Sequence, residues 1–168
     1  MRPGQVERQT YDYQRNGTTT LFAALDVLTG EVIGRCLPRH RHEEFLRFLR
    51  TIDREVPKGL QVHLILDNYS THKHQNVKTW LAKHPRFHLH FTPTSSSWVN
   101  LVERFFGKLT DKAIRRGIFK SVPDLIAAIE AYLKATNDDP KPFVWTATAD
   151  SILAKVRRGR VTLDAITN

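Results

Sequence analysis

The chain has 168 residues, enough for one domain with a real core. Its composition, 40% hydrophobic and 26% charged, is that of a soluble globular protein and excludes a disordered or fibrous one. Lysine and arginine outnumber acids 26 to 17, a net charge of +9, which favours a polyanionic partner, nucleic acid ahead of an anionic membrane surface. A single cysteine, Cys36, excludes an internal disulfide and fits a reducing cytoplasm. No stretch approaches the roughly 20 apolar residues of a membrane span, and Met1-Arg2-Pro3-Gly4 has no apolar run like a signal peptide.

Residues 1–17 are polar and basic and read as an arm ahead of a domain over 18–168. Thr18 to Val27 is β-branched and apolar, and a turn at Leu28-Thr29-Gly30 leads into Glu31 to Leu37, a hairpin. From His42, the spacing of Phe45, Leu46, Phe48, Leu49 and Ile52 predicts a helix that Pro57 and Gly59 end. Gln61 to Asp67 is short and almost wholly apolar, the pattern of a buried parallel strand. His72 to His84 reads as a helix with Val77, Trp80 and Leu81 inward, and Phe87 to Phe91 as a strand ended by Pro93.

Ser95-Ser96-Ser97 offers N-caps for a long helix from about Trp98 to Arg116, closed by Gly117, with Val99, Val102, Phe106 and Leu109 as its core stripe. Ser121-Val122-Pro123-Asp124 resembles a capping box. It opens a second helix with Leu125, Ile126, Ile129, Tyr132 and Leu133 on one face. After Pro140 and Pro142 comes a last short helix, around Ala149 to Val156, and a basic tail. This order predicts an α/β fold, a mixed sheet flanked by helices. In such sheets, sites form at the carboxyl ends of parallel strands.

Asp67 sits at such an end, and Glu103 follows after 35 residues on a helix rich in Arg and Lys. Alone, an Asp-Asn pair after a strand reads as a turn or a helix cap, and a helix glutamate as a solvated one. Together, two carboxylates converging on one spot repel unless a cation bridges them, and their hard oxygens select Mg²⁺ or Mn²⁺. Asn68 adjoins Asp67, and Asn100 shares the Glu103 face as a supporting or phosphate contact. His72, five residues past Asp67, either touches a scissile phosphate or caps the following helix. Arg104, Lys108, Lys112 and Arg115, thickened by Arg116, form a basic stripe that reads as a phosphate track for DNA or as plain solvation. Histidine pairs such as His88 and His90 suit zinc poorly, because no cysteine or second carboxylate completes a tetrahedral set.

The runs Leu64-Ile65-Leu66-Asp67-Asn68-Tyr69-Ser70-Thr71-His72 and His90-Phe91-Thr92-Pro93-Thr94-Ser95-Ser96-Ser97-Trp98-Val99-Asn100-Leu101-Val102-Glu103 resemble the catalytic domain of mariner-like DDE transposases, in the bacterial insertion-sequence branch. The similarity extends through Gly17 to Leu25 and through Pro142 to Thr146. It implies an RNase H-like fold, two divalent metals, and the cutting and joining of transposon ends in a bacterial cytoplasm. By motif position, Asp67 matches the family's second catalytic aspartate, Glu103 its final acid, and Asn100 the asparagine three before that acid.

The departure is at the front. The family's first catalytic aspartate lies on the first, central strand, ahead of everything corresponding to Thr18, and here that strand and acid are not found. Asp26 would be a distant substitute, and Asp12 lies in the polar arm. The expectations are therefore a partial catalytic domain, inactive alone, with two interior strand edges lacking their hydrogen-bond partners. Assembly with a separate N-terminal fragment would complete it, and the resemblance also implies a possible homodimer. The alternative is a non-catalytic DNA-binding or regulatory fragment acting through mixed assembly with the full transposase.

Overall fold

The structure, a computed structural model, describes residues 16–92 and 101–142, together with positions 150, 153, 154, 157 and 158 of the C-terminal segment. The expected caps at Ser95 to Ser97, together with Trp98, Asn100 and Trp145, lie outside these residues, as does most of the expected last helix.

Strands β1 (Thr20–Leu25) and β2 (Val32–Leu37) pair antiparallel, from Thr20 opposite Leu37 to Leu25 opposite Val32. Their connection is set by two devices. The Asp26 carboxylate accepts from the Leu28 amide at 2.8 Å, and Gly30 takes φ +81, a conformation that glycine alone adopts cheaply. Helix α1 (His42–Glu55) follows, with Glu43 and Glu44 in its first turn and Arg54 in its last, charges that suit its dipole. Strands β3 (Val62–Leu66) and β4 (Phe87–Phe91) pair parallel, and Thr92 extends their ladder by donating to the Leu66 carbonyl at 2.9 Å.

Between β3 and β4 the expected single helix from His72 is broken in two. A 3-10 turn, Ser70–Lys73, precedes α2 (Gln75–Ala82), and the side chain of His74 caps α2 by accepting from the Asn76 amide. The cap is therefore His74 rather than His72. Helix α3 (Leu101–Leu109) runs into a π-helical turn, Thr110–Ile114, closed by Arg115 N–H donating to the Thr110 carbonyl at 2.8 Å. A Cβ on Gly117 would meet the Phe119 ring at 2.2 Å, so the glycine there serves close packing. Helix α4 (Val122–Asp138) starts at Ser121, whose hydroxyl accepts from the Asp124 amide, as expected.

The core has two parts. The first joins Phe22 and Leu37 of the hairpin to Phe45, Phe48, Leu49 and Ile52 of α1, and these to Val62, Leu66, Val77, Trp80 and Phe87. The second packs α3 and α4 on the other face of the hairpin through Val32, Phe105, Leu109, Ile129 and Leu133. Phe105 joins Leu109 of the expected stripe in the core of α3, while Val102 and Phe106 are only partly buried and Glu103 is exposed. Ile65 is 60% exposed, so β3 is covered on one face rather than both.

Among the described residues the strands form two separate ladders, β1–β2 and β3–β4. Helix α1 packs against both, so the ladders share a core without sharing backbone hydrogen bonds.

Candidate active site

Asp67 follows the last residue of β3, where the parallel pair delivers its chain ends to one pole of the molecule. Its side chain is half exposed. The 3-10 turn folds back over it, so that His72 Nδ1 lies 3.3 Å from Asp67 Oδ1 and 3.4 Å from the Asp67 carbonyl oxygen. His72 is the more buried partner, against Phe45 (ring centroids 4.4 Å) and near His40 and Tyr69. Burial pushes the His72 pKa below its usual value. The Asp67 carbonyl and carboxylate oppose that shift, and the charge of His40 adds to it. A neutral imidazole with its proton on Nδ1 donates to Asp67 and fixes the carboxylate's direction.

The same pole carries further groups that the sequence did not single out. His40, three residues past β2, packs its ring 5.1 Å from Tyr69 and 4.8 Å from Phe22. Tyr69 is half exposed, and Lys73 Nζ sits 5.2 Å from the centroid of the Phe91 ring. Spacing alone could not join His40 to Asp67, because 26 residues and a whole helix separate them. Asn68 is exposed beside Asp67.

Glu103 stands exposed in the first described turn of α3, which packs on β1, and no hydrogen bond or ion pair among the described residues ties it to Asp67. Asn100, just before it, lies outside the described residues. Lys108, Lys112, Arg115 and Arg116 are exposed along α3 and its π turn, and so is Arg104. The stripe is less uniform than its spacing predicts. Asp111 pairs with Arg115 at 3.0 Å, and the π turn departs from the spacing of four.

Asp26 is excluded as a companion of Asp67. His40, past the carboxyl end of β2, reaches His72 at the Asp67 pole, whereas the Asp26 turn lies at the other end of the same six-residue strand. Six residues of strand span about 20 Å. The Asp26 carboxylate is also engaged, by the Leu28 and Thr29 amides. Asp12 lies outside the described residues.

The oxygen donors Asp67 and Glu103 suit a hard divalent cation by type. No group of three or more His, Cys, Asp or Glu side chains converges among the described residues.

A family model described as DDE superfamily endonuclease matches residues 1–126. The chain belongs to that family. The match begins at residue 1. The chain is also similar to the "Insertion element IS630 uncharacterized 39 kDa protein" of Shigella sonnei, at 28% identity over 96 residues, or 57% of the chain. It spans 28% of the length of that curated relative. Among solved structures it is similar to the catalytic core domain of BIV integrase (TM-score 0.56, 17% identity, 85% of this chain and 90% of that one). A simian T-cell lymphotropic virus intasome structure gives TM-score 0.56 at 16% identity, covering 80% of this chain and 54% of that one. Identities this low carry the fold alone: the chain has the RNase H-like architecture of integrase cores. No helix among the described residues is long and apolar enough to cross a membrane.

Proposed function

We propose that this chain is catalytic-domain material of a bacterial, mariner-like DNA transposase, in which Asp67 and Glu103 hold Mg²⁺ or Mn²⁺ beside a DNA strand. The observation that carries the reading is the family match over residues 1–126, which contains both acids. Asp67 at the carboxyl end of a parallel strand supports it, because such ends collect functional groups in α/β sheets. His72 would orient the Asp67 carboxylate, and Asn68 and Asn100 would support the ligands or contact phosphate. A bound divalent ion would polarise a phosphodiester oxygen and lower the pKa of an attacking water. Arg104, Lys108, Lys112, Arg115 and Arg116 would follow the DNA backbone.

Two carboxylates are fewer than such a site needs, so the purified chain alone is expected not to cut DNA. A further acid would come with a strand seated between β1 and β3. Titration of Mn²⁺ into the chain tests the assignment. Asp67→Asn and Glu103→Gln are each expected to weaken Mn²⁺ binding at least about tenfold, with thermal midpoints unchanged. Unaltered Mn²⁺ affinity in both variants would remove the two-carboxylate site.

The second reading is a non-catalytic DNA-binding fragment acting through mixed assembly with the full transposase. It is favoured by the charge of +9. It expects salt-sensitive DNA binding that survives Asp67→Asn.

A further inference from the structure

Away from the Asp67 pole, α1 and β2 form an open groove of about 420 Å³ lined by Arg35, Arg47, Arg50, Asp53 and Arg54. Its walls follow from local geometry. Arg47, Arg50 and Arg54 recur at steps of three and four, so they share one face of α1. Arg35 comes from β2.

At the centre is the buried hydroxyl of Thr51. It donates to the Arg47 carbonyl at 3.2 Å and accepts from Arg35 NH1 at 3.0 Å and Arg54 NH2 at 3.4 Å. Two guanidinium groups are thus held against one neutral oxygen. Like charges at such range repel.

No carboxylate among the described residues relieves this repulsion. None of the four arginines forms an ion pair there, and the groove's one acid is engaged elsewhere. Asp53 Oδ2 is 2.8 Å from Lys58 Nζ, and Asp53 Oδ1 accepts from Arg86 Nε at 3.0 Å. The lysine contact first, and the arginine after it, hold the Asp53 carboxyl below the usual aspartate range, so it stays charged but already balanced.

Four unneutralised guanidinium groups, two of them fixed in place, form a receptor for oxyanions. Arginine forks match phosphate oxygens in bidentate fashion. The groove is open, and its helix-borne arginines are spread over seven residues, about 10 Å along the axis. That is about three phosphate steps of one strand at 3.4 Å per step.

We infer that the α1–β2 groove is a second phosphate-backbone site for duplex DNA, separate from the Asp67 pole and from the basic stripe on α3. Arg86, immediately ahead of β4, reaches Asp53 in the groove wall, so the groove extends to the amino ends of the parallel strands. Asp67 lies past their carboxyl ends, a five-residue strand of about 16 Å away. A duplex on this groove would therefore contact the protein well away from any strand undergoing chemistry. The inference rests on the proposal that DNA is the partner.

Arg47→Gln/Arg50→Gln tests it, because both side chains are exposed and neither carries a fold-supporting hydrogen bond among the described residues. Duplex binding to the full chain is followed by fluorescence anisotropy across a series of salt concentrations, beside Lys108→Gln/Lys112→Gln and wild type. The groove variant is expected to reduce the slope of log K against log[salt] by about 1.8 units and to weaken binding in 0.1 M salt by more than tenfold, with the thermal midpoint unchanged. Wild-type slope and affinity in the groove variant, while the α3 variant loses both, would overturn the groove and leave the DNA reading standing. Absence of salt-dependent duplex binding by wild type would overturn both. Binding of inorganic phosphate that the groove variant abolishes, with its duplex slope unchanged, would assign a small phosphate compound instead and overturn the backbone site.

Discussion

His72 closes on Asp67 through one ring nitrogen, 3.3 Å from the carboxylate and 3.4 Å from the carbonyl oxygen of the same residue. The imidazole is largely buried while the carboxylate is half exposed, an arrangement that favours a neutral histidine.

This relationship has a pH signature. With the folded pKa of His72 below its unfolded value, the unfolded chain binds the extra proton first as pH falls. The histidine's contribution to stability is whole above about pH 6.5 and is lost as pH drops through the lower folded value. Thermal midpoints at pH 7.5 and 5.5 should therefore differ less in His72→Gln than in wild type. An equal difference in the two proteins would contradict the buried neutral histidine.

Arg86 ties the end of α1 to the start of β4. Its guanidinium donates to Asp53 Oδ1 and to the carbonyls of Asp53, Val56, Pro57 and Leu60, between 2.7 and 3.3 Å. Arg86→Ala is expected to cost about 2–3 kcal/mol in chemical denaturation. Arg86→Lys should recover little of it, since an ammonium lacks the planar fork. Full recovery by lysine would show that charge alone matters there.

Gly34 lets α4 approach the hairpin. A Cβ there would stand 2.6 Å from Leu133 Cδ1, so Gly34→Ala forces the leucine aside at a cost of about 1–3 kcal/mol. In a Leu133→Ala background the same change should cost close to nothing. Additive costs in the double-mutant cycle would place the strain elsewhere.

Asn137 extends the β2 end of the ladder with a side chain. Its amide accepts from Val32 N–H at 2.8 Å and donates to the Val32 carbonyl at 3.0 Å, and Val32 is buried. Asn137→Ala strands both backbone groups and is expected to cost about 2 kcal/mol, read as a lower denaturation midpoint at unchanged slope. A loss under about 0.5 kcal/mol would mean that water replaces the amide.

What the sequence made legible was local and periodic. The hairpin, α1, β4 and the Ser121 cap follow from patterns that short-range physics enforces, and Asp67 at a strand end follows from the apolar run before it. The break between Ser70–Lys73 and α2 was not legible. A histidine cap at position 74 competes with a continuing helix only once His72 has Asp67 to turn toward. Phe105 joined Leu109 of the expected stripe in the core, where it packs on Tyr132 and the hairpin, both distant in sequence. The arginine groove needed a strand residue beside a helix face, a juxtaposition that α1's own spacing does not reveal.

The two ladders meet through the side chains of α1, with no backbone register in common among the described residues. Register moves in steps of a whole residue, whereas packed side chains yield by fractions of an ångström. The position of the Asp67 carboxylate relative to anything borne by the hairpin is thus continuously adjustable. A trimmed side chain at Leu49, fully enclosed where the halves join, would shift that alignment without breaking a single strand pairing.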